Sequence, residues 1–171
     1  MLGREDERMA FEIERKFLVI NDAWQQLVSS ESIIRQAYLT GRDKASIRVR
    51  IRDHQTATLT IKSRGADLKR LEFEYAIPVL EAEAMLPLRR GAIIEKRRAL
   101  VPFQGHVWEV DTFFGDNAGL VLAEIELDAV DETFVRPHWI GAEVTSQASY
   151  YNGALANNPF SAWTDRDDRS A

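Results

Sequence analysis

Residues 45–52 of the chain, ASIRVRIR, alternate apolar or small side chains with basic ones almost without interruption. Because a β-strand directs residues i and i+2 to the same side, the aliphatic residues fall on one face, and Arg48, Arg50 and Arg52 fall on the other. Three stacked like charges repel each other and destabilise a sheet. This basic face therefore requires a compensating partner, which is either a multivalent anion or a set of facing carboxylates.

The same period-two alternation extends outward from this stretch over most of the chain and predicts eight strands. They cover residues 11–20, 34–40, 45–52, 57–63, 69–77, 93–103, 107–114 and 120–128. Helices are fewer: the sequence predicts one over residues 21–29, one over residues 79–88 that Pro87 ends or kinks, and one within residues 139–157. Strands joined by short connections predict a mostly antiparallel sheet with a few flanking helices, which is an α+β architecture rich in β-structure.

Nearly every predicted strand carries a column of charged side chains of one sign at alternate positions. The acidic members are Glu12, Glu14, Glu72, Glu74, Glu109, Asp111, Glu124 and Glu126. The basic members are Lys16, Arg48, Arg50, Arg52, Lys62, Lys96 and Arg98. One such column is typical of a solvated strand face, but columns sorted by sign on most of the strands favour a shared interior. We therefore expect a closed eight-stranded antiparallel β-barrel, a tunnel whose charged lumen suits a polyanion bound through metal ions.

The composition is typical of a single globular domain, with 171 residues and a net charge of -5. The chain contains no cysteine, which excludes disulfides, thiolate metal ligands and cysteine nucleophiles. The acidic balance argues against a nucleic-acid partner, and no apolar run approaches the ~20 residues of a membrane span. We expect a cytoplasmic protein with a domain over residues 9–163 and disordered ends at residues 1–8 and 164–171. Apolar outer strand faces leave room for a homodimer.

The segment EIERK at residues 12–16 resembles the ExExK signature of the CYTH domain, or triphosphate tunnel metalloenzyme, superfamily. The segments that follow it and are also similar to this family are, in order, RQAYLT, SIRVRIR, TLTIKS, LEFEYAI, IEKRRAL, WEVDTFFG and GLVLAEIEL. The resemblance implies an eight-stranded tunnel that hydrolyses a triphosphate, and the chain most resembles small bacterial inorganic tripolyphosphatase-like members. Nucleoside triphosphates remain open as substrates. Thiamine triphosphate hydrolysis, conversion of ATP to cyclic AMP on the same fold, and non-catalytic polyphosphate binding are the alternatives.

The resemblance also implies a cofactor of one or two Mg²⁺ or Mn²⁺ ions and roles for individual residues. The implied catalytic residues are Glu12, Glu14, Lys16, Glu124 and Glu126. The implied metal ligands are Glu12, Glu14, Glu124 and Glu126, with Glu74, Glu109 and Asp111 as further acids. The implied phosphate-binding residues are Lys16, Arg48, Arg50, Lys62, Lys96 and Arg98. Lys96 and Arg52 are expected near strand ends, facing the rim.

The C-terminal stretch departs from the pattern of some members of this family. Those members carry a basic residue in a C-terminal helix that closes the tunnel, whereas residues 141–157 contain neither Lys nor Arg. Ala142 and Ser149 stand near the expected position. The resemblance therefore leaves open how the tunnel is closed and whether one phosphate contact is made.

Overall fold

The computed structural model describes residues 13–40, 45–63 and 72–163 of the chain. The strands within these ranges are β1 (Ile13–Val19), β2 (Ser30–Tyr38), β3 (Ala45–Arg52), β4 (Thr56–Ser63), β5 (Glu72–Ile77), β6 (Arg90–Phe103), β7 (His106–Phe113), β8 (Val121–Leu127) and β9 (Ile140–Glu143). The α-helices are α1 (Val79–Met85) and α2 (Asn152–Asn157). Short 3₁₀-helices cover Ala23–Leu27, Leu86–Leu88, Gly115–Asn117, Ala148–Tyr150 and Phe160–Ala162. The predicted β-rich architecture with few helices is confirmed.

These strands form one sheet in the order β5-β4-β3-β2-β6-β7-β8-β1-β9, and every neighbouring pair is antiparallel. The predicted closed eight-stranded barrel is wrong, because the described part of the chain forms an open sheet of nine strands with edges at β5 and β9. The physical reason lies in β1, which pairs with β8 along one edge and with β9 along the other. In that second pairing Phe17 lies opposite Glu143 and Val19 lies opposite Ile140. The edge of β1 that β5 would need for closure is therefore occupied.

Strand β9 also corrects the helix predicted within residues 139–157. The helical spacing of Val144, Ala148, Tyr151 and Leu155 predicts one buried stripe, but Ala148 and Tyr151 are exposed. Residues 140–143 instead provide hydrogen-bonding partners for an edge of β1 that would otherwise be unpaired, and this requirement prevails over the helical spacing. Helical structure is left to a 3₁₀ turn and the six residues of α2.

The other two helical predictions are confirmed in shortened form. The first is a 3₁₀-helix over Ala23–Leu27, preceded by the side chain of Asn21, whose Oδ1 accepts a hydrogen bond from the backbone N–H of Ala23 at 3.1 Å. The second is α1, which ends at Met85 and passes into a 3₁₀ turn containing Pro87. Across the residues that the structure describes, there is no helix with the length and apolar character that crossing a membrane requires.

Alternation along the strands gives the sheet an apolar face and a charged face. On the apolar face, the ring of Trp108 packs edge-on against Phe17 and Trp139, with centroids 5.6 and 5.5 Å apart. Helix α1 covers a second part of this face, where Val49 and Ile51 are buried. Burying each large apolar side chain contributes about 1.5–3 kcal/mol. The apolar face therefore fixes which side chains the opposite face presents.

The C-terminal segment lies on the charged side of the sheet. Ile94, Phe113 and Leu122 share a face with the charged columns of β6, β7 and β8, and they form a buried cluster with Val144 and Leu155. Helix α2, which carries Leu155, packs against β6. One end of the charged face is thus covered by apolar packing rather than by a basic side chain of residues 141–157.

Gly91, near the start of β6, lies close to the backbone of α2. Its φ is +73°, and a Cβ there would lie 2.3 Å from the carbonyl oxygen of Ala156. Gly91→Ala is expected to lower the free energy of unfolding by about 3 kcal/mol, because a backbone clash adds to the ~1–2 kcal/mol of left-handed strain. Urea-induced unfolding measures this loss.

Gly105→Ala is the matched control. Gly105 has a φ of +86°, but a Cβ there meets nothing within 4 Å, so only the backbone strain should appear. Equal losses of unfolding free energy in the two variants would contradict the close packing of α2 against β6.

Candidate active site

Strand register places the predicted charged columns side by side on the charged face. Glu14 lies opposite Glu126, and Glu124 lies between Lys16 and Glu109. The predicted site residues on this face are Glu14, Lys16, Arg48, Arg50, Lys62, Glu74, Lys96, Arg98, Glu109, Asp111, Glu124 and Glu126. Opposite charges therefore meet between Lys16 and Glu124 and between β6 and β7, whereas β7 and β8 place carboxylates side by side.

Arg98 is the central cation of the acidic half of this face, which is formed by β1, β8, β7 and β6. Its Nε and Nη2 donate to the two carboxylate oxygens of Asp111 at 2.7 and 2.6 Å. Its Nη2 also donates to Oε2 of Glu124 at 2.9 Å, and its Nη1 donates to Glu109. Burial by itself would lower the pKa of Arg98, but these carboxylates raise it. Arg98 is therefore a permanent cation that fixes the positions of three acids.

Lys16 connects Glu124 to Glu14. Its Nζ lies 2.6 Å from Oε1 of Glu124 and 3.3 Å from Oε1 of Glu14. Burial opposes the charge of Lys16, but the two carboxylates raise its pKa above the usual value. The pKa of Glu14 is also raised, first by burial and then by the negative charge of Glu124. Two carboxylates thus share one ammonium group. Glu124 is also bound to Arg98, whereas Glu14 keeps a raised pKa that a further positive charge would lower.

Lys96 and Asp111 form a fully buried ion pair. The Nζ of Lys96 lies 2.5 Å from Oδ2 of Asp111 and 3.4 Å from Oδ1 of Asn152, the first residue of α2. Burial would raise the pKa of Asp111, but the charges of Lys96 and Arg98 lower it to about 2. The expected rim position of Lys96 is wrong, because β6 begins at Arg90, so that Lys96 lies inside the strand with no exposed surface.

Arg50 of β3 lies in the basic half of the face, which is formed by β2, β3, β4 and β5. Its Nε donates to Oε1 of Gln36 at 3.0 Å. Among the residues that the structure describes, no carboxylate forms an ion pair with Arg50. Burial, followed by the charges of Arg48 and Arg98, lowers the pKa of Arg50 to about 10. Cationic groups crowded in this way favour the binding of an anion.

The two halves approach each other because the sheet curls. Tyr38 of β2 and Leu18 of β1 both pack against the buried apolar cluster that contains Leu155 of α2. Strands β6, β7 and β8 lie between β2 and β1 in the sheet order, so a flat sheet would hold β1 and β2 roughly 19 Å apart. Packing of both strands against one small cluster therefore indicates that the charged face is concave.

The remaining predicted site residues lie farther from the acidic half. Glu74 of β5 accepts a hydrogen bond from the hydroxyl of Thr60 at 2.9 Å and lies 3.8 Å from Arg48, so the structure places it in the basic half. Arg52 is exposed at the end of β3, as expected for a rim position. Glu12 lies outside the described residues.

The family assignment suggested by EIERK is tested by comparison with known proteins. The model of the CYTH domain family matches residues 10–157, which is most of the chain. The chain belongs to the CYTH domain family. The confirmed membership agrees with a concave sheet whose charged side chains line one face.

Known proteins similar to this CYTH domain include two inorganic triphosphatases. The one from Acetivibrio thermocellus is 43% identical over 153 residues, which cover 89% of this chain and 97% of the relative. The one from Nitrosomonas europaea is 39% identical over 150 residues, which cover 85% and 96%. The crystal structure of the inorganic triphosphatase NE1496 is similar with a TM-score of 0.67 at 34% identity, covering 86% of this chain and 95% of that chain.

A more distant structural likeness concerns HpAC1 from Hippeastrum, studied as an adenylyl cyclase and found to have a dominant triphosphatase activity. Its TM-score is 0.53 at 14% identity, covering 69% of this CYTH domain and 80% of that chain. At this identity the likeness shows the fold alone.

The structure of the CYTH domain adds three residues to the site that the charge columns do not predict. Gln36 contacts Arg50, Asn152 contacts Lys96, and Tyr38 lies opposite Arg48 on the neighbouring strand. Gln36 and Tyr38 follow the period-two spacing of β2, so alternation along that strand was an available signal. No local pattern in the sequence indicates Asn152, because its position beside Lys96 depends on the packing of α2 against β6.

Asp111 predicts an acid-sensitive part of the stability of this CYTH domain. Its pKa falls from an ordinary 3.8 to about 2 in the folded protein, so the folded state binds its proton less readily than the unfolded state does. This stabilisation, about 2 kcal/mol, is present above about pH 4 and is lost as the pH falls through about 2. Urea unfolding between about pH 5 and pH 2 measures it.

The control for this pH dependence is Asp111→Asn. The variant should be less stable at every pH because two buried cations lose a partner, but it should lack the part of the acid-dependent slope that Asp111 provides. An identical slope in the wild type and the variant would show that Asp111 is not a low-pKa carboxylate.

Proposed function

We propose that this CYTH domain is a metal-dependent triphosphatase that hydrolyses inorganic tripolyphosphate on the charged face. The observation that carries the proposal is the junction at Glu124, whose Oε1 pairs with Lys16 and whose Oε2 pairs with Arg98. A metal-bridged polyphosphate needs carboxylates for the ion and positively charged side chains for the phosphates within one site. This junction supplies both. The two inorganic triphosphatases, matched over nearly their whole length, support the same activity for this chain.

A divalent ion, Mg²⁺ or Mn²⁺, would be held by Glu14 and Glu124, with Glu12 and Glu126 as further ligands. These are hard oxygen donors of the kind that both ions prefer. The described ranges contain no group of three acidic or histidine side chains arranged to hold a metal ion. Mg²⁺ is commonly held by one or two carboxylates together with substrate phosphates, so Glu14 and Glu124 fit that arrangement. Repulsion between them, which contributes to the raised pKa of Glu14, gives an electrostatic reason for a cation.

When bound, the ion would neutralise phosphate charge and activate water. The other acids proposed as ligands have different partners. Asp111 is fully inaccessible to solvent with both its oxygens bound to cations, and Glu109 binds Arg98. We assign Asp111 to orienting Lys96 and Arg98, and Glu109 to orienting Arg98. Glu74 would orient Arg48 in the basic half.

The lysine and arginine side chains would bind the phosphates along the concave face. Arginine side chains bind phosphate oxygens through two parallel N–H donors, whereas a lysine acts as a point charge. Arg50 and Arg48 provide cationic charge in the basic half, while Arg98 and Lys16 stand beside the carboxylates. Phosphoryl transfer depends mainly on such positioning and charge stabilisation, so the proposal requires no protein nucleophile.

A phosphate-release screen tests the activity. Tripolyphosphate, ATP, thiamine triphosphate and pyrophosphate are each incubated with the protein and Mg²⁺ or Mn²⁺. Tripolyphosphate should be hydrolysed fastest, and EDTA should abolish the release of phosphate. Formation of cyclic AMP from ATP would support the cyclase alternative. Tight binding of tripolyphosphate without turnover would support a binding module.

Substitution of the proposed metal ligands tests the site. Glu14→Gln and Glu124→Gln are each expected to lower kcat/KM at least about a hundredfold, equivalent to about 2.7 kcal/mol of transition-state stabilisation. Steady-state tripolyphosphate hydrolysis over a range of metal concentrations measures the effect. The neutral amide keeps the size of each side chain while it removes the charge that would hold the ion.

Glu31→Gln is the matched control for Glu14→Gln. The Glu14 and Glu31 side chains are each 45% exposed and each pairs with a base, but Glu31 belongs to the apolar side of β2. Glu31→Gln should retain the wild-type rate. Equal activity of the wild type and both charged-face variants would contradict the proposed metal site.

A further inference from the structure

Gln36 is a neutral amide buried among the charges of the charged face. It is inaccessible to solvent, and register places it between Ile94 of β6 and Arg50 of β3. Its Oε1 accepts the hydrogen bond from Arg50, whereas its Nε2 has no hydrogen-bond partner among the described residues. Buried donors are nearly always paired, because an unpaired one destabilises the fold. An unmet donor inside a binding face therefore points to an acceptor on a ligand.

The partner of Arg50 distinguishes it from other bases of the charged face. Lys16, Lys62 and Arg98 each lie within 2.9 Å of a carboxylate oxygen. Arg50 instead binds an amide oxygen, which orients the guanidinium group without neutralising it. The positive charge of Arg50 is thereby left for another anion.

A second unmet donor lies on the same strand as Arg50. The Nε of Arg48 is buried and has no hydrogen-bond partner within residues 13–40, 45–63 and 72–163, although its Nη2 donates to Thr60. Arg48 stands two residues from Arg50 on the same face of β3, opposite Tyr38 of β2. Unmet donors on two adjacent strands, beside an unneutralised guanidinium group, form a set suited to the oxygens of one phosphoryl group.

We propose that Gln36 is a substrate-binding residue: its Nε2 donates to a phosphoryl oxygen, while its Oε1 directs Arg50 toward the same anion. This inference rests on the proposed function for the identity of the anion, a triphosphate. A carboxylate at position 36 would orient Arg50 equally well but would cancel its charge and repel the phosphoryl group. The neutral amide provides orientation, a donor and uncompensated charge together.

Two variants of similar size test the two roles of the amide. Gln36→Met removes both the donor and the acceptor, whereas Gln36→Glu keeps the acceptor for Arg50 but replaces the donor with negative charge. We expect KM for tripolyphosphate to rise about tenfold in Gln36→Met and further in Gln36→Glu, with kcat within about threefold of the wild type. A purely structural role would lower thermal stability and leave KM unchanged, and that result would overturn the inference.

Ile34→Val is the control for altered packing. Ile34 is buried two residues from Gln36 on the same face of β2, and this change removes one methylene without altering a donor or a charge. Its KM should equal that of the wild type. A comparable rise of KM in Ile34→Val would assign the effect to packing and overturn the proposed contact.

An NMR titration of the wild-type protein tests the contact without any substitution. The side-chain amide resonances of Gln36, assigned on the wild type, should shift saturably when tripolyphosphate is added without metal. If backbone amides of β3 respond while the Gln36 side chain does not, the role of Gln36 is wrong but tripolyphosphate binding stands. A wild type that neither binds nor hydrolyses tripolyphosphate overturns both the inference and the proposed function.

Discussion

The bidentate hydrogen bonding of Arg98 to Asp111 is the interaction on which the charged face depends. Removing charged groups from water costs several kcal/mol per ion, and only good geometry with further hydrogen bonds offsets that cost. Arg98 meets this condition by binding Asp111, Glu109 and Glu124 together. Lys16 then extends the network from Glu124 to β1. The like-charged columns are tolerated because Arg98 and Lys16 bridge the carboxylates of neighbouring strands.

The two halves of the face satisfy their charges differently. In the acidic half, Lys96 and Arg98 are closely matched to carboxylates, so this half is already structured without a ligand. In the basic half, an amide stands where a carboxylate would complete the pairing of Arg50. The first arrangement stabilises the fold, whereas the second leaves charge and hydrogen-bond donors for binding. A polyanion that spans the concave face would complete the second half and bring negative charge to the first.

Local properties of the sequence account for what was predicted. Period two along a strand determines which side chains share a face, and so the charged columns and the residues of the acidic half could be read from the sequence. Whether the sheet closes could not be read from the sequence, because it depends on which segment pairs with the free edge of β1. The segment that does so, residues 140–143, is remote from β1 in sequence. The pattern of charges does not indicate Gln36, because its column on β2 contains Ile34 and Tyr38 rather than charged residues. The alternation does not predict the burial of Lys96, because β6 begins at Arg90, before the alternation becomes regular.

The pairing of β1 with β8 and β9 has a consequence for the order in which the chain can fold. Arg15 on β1 donates to Glu143, a partner 128 residues away along the chain, and both neighbours of β1 belong to the C-terminal half. During synthesis β1 emerges before β8 and β9, so its two edges stay unpaired until those strands are made. Contacts of such long range form slowly, because the chain loses entropy in closing a long loop before the contact contributes any stabilisation. The acidic half of the face, which joins Lys16 to Glu124, therefore forms only after β8 is made, whereas all four strands of the basic half are made before β8.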